Sequence, residues 1–324
     1  MENYITFRRL GRSELMVTPV GLGCWQFSKR KNLAGKFWPE LEDKDIQKVV
    51  QLSLEGGINW FDTAEVYGSG ASEMALSKAL TASGKKPGDV LVATKWWPLF
   101  RTASNLPETI GNRLSALNPF PIDLYQVHQP YGFSSVAKEM EAMGALVKEG
   151  KIRYAGVSNF SEKQMRIAWE TLNKLGIPLV SNQVQYSLLN RKIESNGIMK
   201  TAKELGISII AWSPLAQGLV TGKFHEDPGL LKNIGMRKYS ALFKPAGIEK
   251  SRPLIQRIRE LAFKYNVSAS QVALNWLIHF HGETVVAIPG ATKPHHAQEN
   301  TGTMGFKLSS EDMMLLDKES ALFK

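Results

Sequence analysis

The chain has one cysteine, Cys24, in 324 residues. That count excludes an internal disulfide and a cysteine-based zinc cluster. No apolar run approaches the roughly 18 residues that a membrane span requires. The opening Met1-Glu2-Asn3-Tyr4-Ile5-Thr6-Phe7-Arg8-Arg9-Leu10 lacks the apolar stretch of a signal peptide. A reducing, cytoplasmic setting is therefore expected. The formal charge of +10 is not gathered into a stripe, and the longest basic run is Lys29-Arg30-Lys31. Without stacking aromatics between clustered cations, nucleic-acid binding is not expected. The same charge suits a phosphate-rich small ligand, through electrostatic steering, or simple solubility. Metal is not expected either. Adjacent His295 and His296 point to different sides of a helix, with no carboxylate or third histidine beside them. No Gly-x-Gly-x-x-Gly opens an early helix, which weighs against a doubly wound dinucleotide fold.

What is present is a recurring phrase: a helical pattern, a glycine, then isoleucine and a short apolar run. It occurs at Leu54-Glu55-Gly56-Gly57-Ile58, Lys148-Glu149-Gly150-Lys151-Ile152, Lys174-Leu175-Gly176-Ile177 and Glu204-Leu205-Gly206-Ile207. Glycine caps the helix in a left-handed conformation and the chain enters a strand. Ser161-Glu162-Lys163-Gln164 and Ser268-Ala269-Ser270-Gln271 read as capping boxes. Strands are expected near 20–24, 58–63, 90–94, 123–128, 154–158, 181–185, 208–212 and 285–288. They are short and continuously apolar, as in a parallel sheet covered by helices. Eight strand–helix units of this spacing predict an α/β fold, a (β/α)8 TIM barrel, as one domain over residues 1–324. Upstream, 7–10 and 15–17 read as a β-hairpin closing the barrel bottom. After strand 7, residues 217–250 form a long irregular loop of the kind that covers ligands, followed by helices near 252–265 and 268–280.

In such a barrel, functional residues gather at the C-terminal ends of the strands. Asp62 ends strand 2, Lys95 strand 3 and His128 strand 4, with Tyr67 just past strand 2. All four converge on one mouth. An ammonium beside a phenol favours the phenolate and is expected to lower the Tyr67 pKa. Asp62 would keep Lys95 charged, and His128 could donate to a carbonyl oxygen. This is a proton-donating constellation.

The segments Gly21-Leu22-Gly23, Phe61-Asp62-Thr63-Ala64, Glu65-Val66-Tyr67-Gly68, Thr94-Lys95, Gly156-Val157-Ser158-Asn159-Phe160, Asn182-Gln183-Val184-Gln185-Tyr186 and Ile288-Pro289-Gly290-Ala291 resemble the aldo-keto reductase superfamily, in its order and across nearly the whole chain. The resemblance implies hydride transfer from NADPH to aldehydes and ketones without metal. Tyr67 would be the proton donor, Lys95 and Asp62 would tune it, and His128 would orient the carbonyl. It implies Ser158, Asn159 and Gln183 at the nicotinamide carboxamide. Trp212 would stack on the ring, although by itself it reads as a core residue. Ser213, Leu215, Gln217, Gly218 and Lys223 would line the pyrophosphate path, with Arg237 reaching in from the long loop. Gly290, Thr292, Lys293, His296, Glu299 and Asn300 would hold the adenosine end. Lys293 favours NADPH over NADH. His296 departs from the arginine or glutamine of many relatives, so affinity is expected to fall as pH rises through its pKa.

Trp25, Trp96 and Trp97, with Phe37-Trp38 in the first strand-to-helix loop, predict an aromatic-tolerant pocket for a small carbonyl compound. The expected molecule is a monomer, without nucleic-acid or membrane partners. A second reading is a cofactor-sensing subunit with little turnover, similar to the voltage-gated potassium channel β subunits.

Overall fold

The computed structural model describes residues 6–29 and 40–324, so Phe37 and Trp38 lie outside the described residues. Among the described residues, ten strands are formed. β1 (Arg8–Arg9) and β2 (Met16–Val17) pair antiparallel as the expected hairpin. β3 (Leu22–Gly23), β4 (Trp60–Asp62), β5 (Leu91–Trp96), β6 (Leu124–Val127), β7 (Tyr154–Ser158), β8 (Leu179–Gln185), β9 (Ser208–Trp212) and β10 (Val285–Ala287) form one parallel sheet in chain order. Parallel bridges at Val20–Ala287 and Gly23–Gly290 join its first and last strands and close the barrel.

The helices between strands are α1 (Asp43–Glu55), α2 (Ala71–Ala82), α3 (Asn105–Leu117), α4 (Val136–Lys148), α5 (Glu162–Lys174) and α6 (Ile198–Leu205). After β9 come the short α7 (Lys223–Glu226), then α8 (Pro245–Tyr265) and α9 (Ala269–His279). α10 (Pro294–Gly302) and α11 (Ser310–Glu319) follow β10. Both expected capping boxes form, at Ser161/Gln164 on α5 and Ser268/Gln271 on α9. Helix α8 starts earlier than the sequence pattern suggests, at Pro245, whose fixed φ suits a first helical turn. The irregular stretch before it is a chain of 3-10 turns.

Strand alternation sorts the side chains into two cores. Between sheet and helices lies the larger one, which includes Phe61, Trp96, Tyr125, Ala155 and Val157. The barrel lumen holds a smaller one built on Trp60, Ala93, Leu124, Val180, Ile210 and Val286, and the hairpin plugs it with Leu10, Leu15 and Val17. Arg8 secures that plug, its guanidinium donating to the Val285 carbonyl at 2.6 Å.

Two residues further along each strand, the lumen changes character. Asp62 stands above Trp60, Lys95 above Ala93 and Gln126 above Leu124, all buried. Gly156 lies opposite Gln126 in the sheet register. A Cβ there would sit 2.5 Å from Ser181 Oγ and 3.1 Å from Gln126 Cγ. The missing side chain makes room for polar groups to cross the lumen. An apolar floor therefore carries a polar layer at the C-terminal end of the barrel.

Candidate active site

Lys95 is wholly buried, and its Nζ donates to Asp62 Oδ1 at 2.5 Å and to the Thr63 carbonyl at 2.8 Å. Its remaining donor faces the Tyr67 phenol, whose ring centroid is 5.1 Å from Nζ. The other Asp62 oxygen accepts from Gln183 Nε2 at 2.8 Å and Gln126 Nε2 at 3.2 Å. Burial alone would discharge Lys95, but Asp62 and the phenol outweigh it and hold the ammonium above its ordinary pKa.

Tyr67 reaches this pair from the loop after β4. Gly68 makes the approach possible: it has φ +67°, and a Cβ would lie 2.0 Å from the Ser28 carbonyl oxygen. Trp25 stacks on Tyr67, with centroids 6.0 Å apart, and His128 meets it edge-on at 5.6 Å. Trp97 in turn meets His128 edge-on at 5.2 Å. The structure thus brings the four expected residues together, with Trp25 and Trp97 around them.

One electrostatic expectation is corrected, that of Tyr67. Burial pushes the Tyr67 phenol above its ordinary pKa, and the neighbouring Lys95 only partly offsets this. Burial, with Lys95 nearby, also pushes His128 well below the ordinary imidazole value. Tyr67 is therefore a protonated phenol and His128 a neutral imidazole at pH 7. His128 Nδ1 is buried without a hydrogen-bond partner.

Trp96 is corrected as well. Its neighbour Lys95 points into the lumen, so alternation turns Trp96 outward into the helix layer. It is fully buried there, with Nε1 donating to Asn105 Oδ1 at 3.1 Å. It does not face the mouth.

The residues expected at the nicotinamide form one connected group. Ser158 Oγ donates to the Gln183 carbonyl at 2.9 Å. Asn159, at φ +62°, donates to Ser158 Oγ at 3.0 Å and to the His128 carbonyl at 3.2 Å. It accepts from Trp212 Nε1 at 3.0 Å. The side chain of Gln183 is committed to Asp62, so its Nε2 supports the carboxylate.

Beyond Trp212 the backbone turns through left-handed conformations at Ser213, Ala216, Gln217 and Gly218. Leu215 packs on the core, and Gln217 Oε1 is buried without a partner. Arg237 donates to the Gln217 carbonyl at 3.1 Å, which ties the 3-10 stretch back to this turn.

Lys223, Arg237, Lys293 and His296 converge from three segments. Burial, then Arg237 and Lys293, lower the Lys223 pKa. Burial, then His295, Lys223 and Lys293, lower His296 to about 4. Among the described residues, neither Lys223 nor Lys293 has an acidic partner. Such a cluster suits the phosphates of a dinucleotide. His296 Nδ1 faces the backbone N–H of Thr292 at 3.3 Å, and an N–H can only donate. Nδ1 therefore accepts, and Nε2 bears the proton. Asn300 is buried with its amide 3.5 Å from the Gly290 carbonyl, and Glu299 lines an outer groove with Phe263, Asn266 and Gln271.

Sequence reasoning missed two supports. Gln126 is a polar residue inside an apolar strand, and that contrast was its signal. Glu65 Oε1 accepts from the Trp97 backbone N–H at 2.6 Å and from Arg101 Nη1 at 2.5 Å, joining the Tyr67 loop to the loop after β5. No local pattern marks a partner 32 or 36 residues away.

With this geometry in place, comparisons define the class. The model of the Aldo/keto reductase family matches residues 19–320. An uncharacterised oxidoreductase of Mycobacterium tuberculosis is 35% identical over 316 residues, covering 95% of this chain and 91% of that protein. Among solved structures, the glycerol dehydrogenase from Gluconobacter oxydans is similar at a TM-score of 0.84, with 28% identity over 99% of this chain and 96% of that one. The aldo-keto reductase from Klebsiella pneumoniae, in complex with NADPH, gives a TM-score of 0.74 and 25% identity over 97% and 94%. The chain belongs to the aldo/keto reductase family. It is an NAD(P)H-dependent oxidoreductase.

Removing one partner of a buried ion pair strands the other, at a cost of about 3–5 kcal/mol. Asp62→Asn should therefore lose about that much stability in urea unfolding. Adding Lys95→Met to it should restore most of the loss. A double variant as unstable as the single one would show that the two charges are not coupled.

Proposed function

We propose that the protein reduces aldehydes or ketones to alcohols with NADPH, with Tyr67 as the proton donor. The observation that carries this reading is the buried Lys95–Asp62 pair beneath Tyr67, beside a neutral imidazole. The bound nicotinamide would supply the hydride.

As the carbonyl oxygen gains negative charge, the Tyr67 hydroxyl and a His128 N–H are the donors that meet it. Donors fixed before the reaction stabilise developing charge strongly in a site that excludes water. Tyr67 then gives its proton to the oxygen. The phenol's raised pKa does not prevent this, because an alkoxide is a far stronger base than a phenolate. Lys95 stabilises the phenolate left behind, and Asp62 keeps Lys95 charged while it does so. Gln126 and Gln183 hold Asp62 in place.

The cofactor would lie along the mouth from Trp212 to α10. Ser158 and Asn159 would meet the carboxamide, and Gln183 would offer Oε1, since its Nε2 serves Asp62. Trp212, tethered through Asn159, would flank the ring. The left-handed turn at 213–218 brings backbone close to the pyrophosphate path, where Ser213, Leu215, Gln217, Gly218, Lys223 and Arg237 would act. The fit rests on the orphaned Gln217 Oε1 and the cation cluster.

Lys293 and Thr292 would meet a 2′-phosphate, with His296 donating from Nε2 while neutral. The earlier expectation for His296 is thereby revised. With its pKa near 4, its charge does not change in the free protein between pH 6 and 8. Gly290, Glu299 and Asn300 would complete the adenosine end.

Two measurements follow. NADPH consumption with a panel of aldehydes and ketones should fall by about 100-fold or more in Tyr67→Phe, while cofactor binding persists. Unchanged turnover in that variant would refute the mechanism. Tight NADPH binding by the unmodified protein, with no turnover on any carbonyl, would favour the cofactor-sensing role instead. Separately, Lys293→Ala should weaken NADPH binding by roughly tenfold or more and leave NADH nearly unaffected. Equal losses for both cofactors would remove Lys293 from the 2′-phosphate.

A further inference from the structure

Tyr67 sits in a loop whose two ends meet one side chain. Glu65 precedes Tyr67 in that loop, and Glu73 follows it in the first turn of α2. Nη1 of Arg113, on α3, lies 3.5 Å from Glu65 Oε2 and 3.0 Å from Glu73 Oε2. Between the two carboxylates the loop passes the guanidinium at Gly70, where a Cβ would touch Nη2 at 3.4 Å. The loop is thus folded around the Arg113 head. Backbone bonds close it from within: the Gly70 N–H donates to the Glu65 carbonyl at 2.8 Å, and the Ser72 N–H to the Tyr67 carbonyl at 3.1 Å.

The grip extends to the strand that carries Lys95. The other Glu73 oxygen accepts from Thr94 Oγ1 at 2.6 Å. Thr94 is the neighbour of Lys95, so alternation turns it to the helix layer while Lys95 faces the lumen. The Glu65 N–H donates to the Lys95 carbonyl at 3.2 Å. Arg101 also pairs with Glu65, at the near end of the loop. Arg113 holds both ends, against the strand from which Lys95 projects. These groups are shielded from water, with side-chain exposures of 11% for Arg113, 9% for Glu65 and 0% for Glu73. Burial pushes the Glu73 carboxyl up to about 7, and Arg113 is the strongest attraction opposing it. A staple joining α2 to α3 needs only Glu73. The second carboxylate, and the loop folded over the guanidinium, tie Arg113 to Tyr67 as well.

We propose that Arg113 is a positioning residue, which sets the distance between the Tyr67 hydroxyl and Lys95 by clamping Glu65 and Glu73 at the two ends of the Tyr67 loop. Its effect on turnover rests on the reductase reading, whereas the clamp itself does not. A proton donor displaced by about 1 Å can cost on the order of 100-fold in rate.

The test compares Arg113→Met, Arg113→Lys and the double variant Glu73→Gln/Arg113→Met with the unmodified protein. One readout is steady-state kinetics with NADPH and a panel of aldehydes. The other is Tyr67 ionisation, followed as phenolate absorbance against a matched Tyr67→Phe protein. Arg113→Met should lower kcat roughly 10- to 100-fold, with little change in KM or in NADPH binding. Its Tyr67 should ionise closer to the ordinary phenol value of about 10, because a loosened loop admits water. Arg113→Lys should recover most of the rate, since both carboxylates meet the same nitrogen.

Arg113→Met also strands a buried carboxylate and should lose stability. The double variant removes that charge, and its glutamine can still accept from Thr94. It should unfold near the temperature of the unmodified protein while kcat stays low. A double variant that regains kcat along with its stability would reduce Arg113 to a staple and overturn the proposal. So would an Arg113→Met protein with unchanged kcat, a lost rate with Tyr67 ionisation unmoved, or equal losses in the methionine and lysine variants. If the unmodified protein turns over no carbonyl, yet Tyr67 ionisation shifts in Arg113→Met and returns in Arg113→Lys, the reductase reading fails and the clamp stands.

Discussion

The Lys95–Asp62 pair is the constraint on which the rest of this structure depends. An unpaired ammonium in the barrel lumen would be discharged by burial, and an unpaired carboxylate would take up a proton. Together, with Thr63, Gln126 and Gln183 filling their remaining positions, both charges are satisfied. The barrel supplies what such a pair needs. Its parallel strands bring residues distant in sequence to one height, and its apolar floor keeps water from entering below. Gly156 leaves the lumen open at the level where the two glutamines cross.

A second regularity concerns the backbone. Among the described residues, eight other than glycine have positive φ. Lys29, Ser69, Phe100, Asn159, Ser213, Ala216 and Gln217 all lie in loops that follow strands, and only Asn266 caps a helix. The strained positions thus gather at one end of the barrel. Rigid strands and packed helices hold these loops in shapes they would not choose alone, which is how a site acquires fixed donors.

Much of this was legible in the chain. Apolar runs of strand length, separated by capped helices, located all eight barrel strands to within a few residues. The hairpin showed as two short segments, 7–10 and 15–17, flanking the turn-forming Gly11-Arg12-Ser13-Glu14. Asp62, Tyr67, Lys95 and His128 stood out as polar residues at strand ends. What escaped notice depends on distance in the chain or on facing. Trp96 was misplaced because one step along a strand reverses the side chain, and its neighbour Lys95 already faced inward. The Tyr67 and His296 pKa shifts depend on burial and on cations from other elements of the fold, which no local pattern reports. The tie from Glu65 to Arg101 joins two loops that fold together only in three dimensions.

Ionisation of Tyr67 tests the account most directly. Phenolate absorbance, taken as the difference between the unmodified protein and Tyr67→Phe, follows that one group as pH rises. The account predicts ionisation above the ordinary phenol value of about 10 in the free protein. With Lys95 replaced by methionine it should come later still, because the attraction that offsets burial is gone. A Tyr67 that ionises near neutral pH, or that is indifferent to the loss of Lys95, would contradict it.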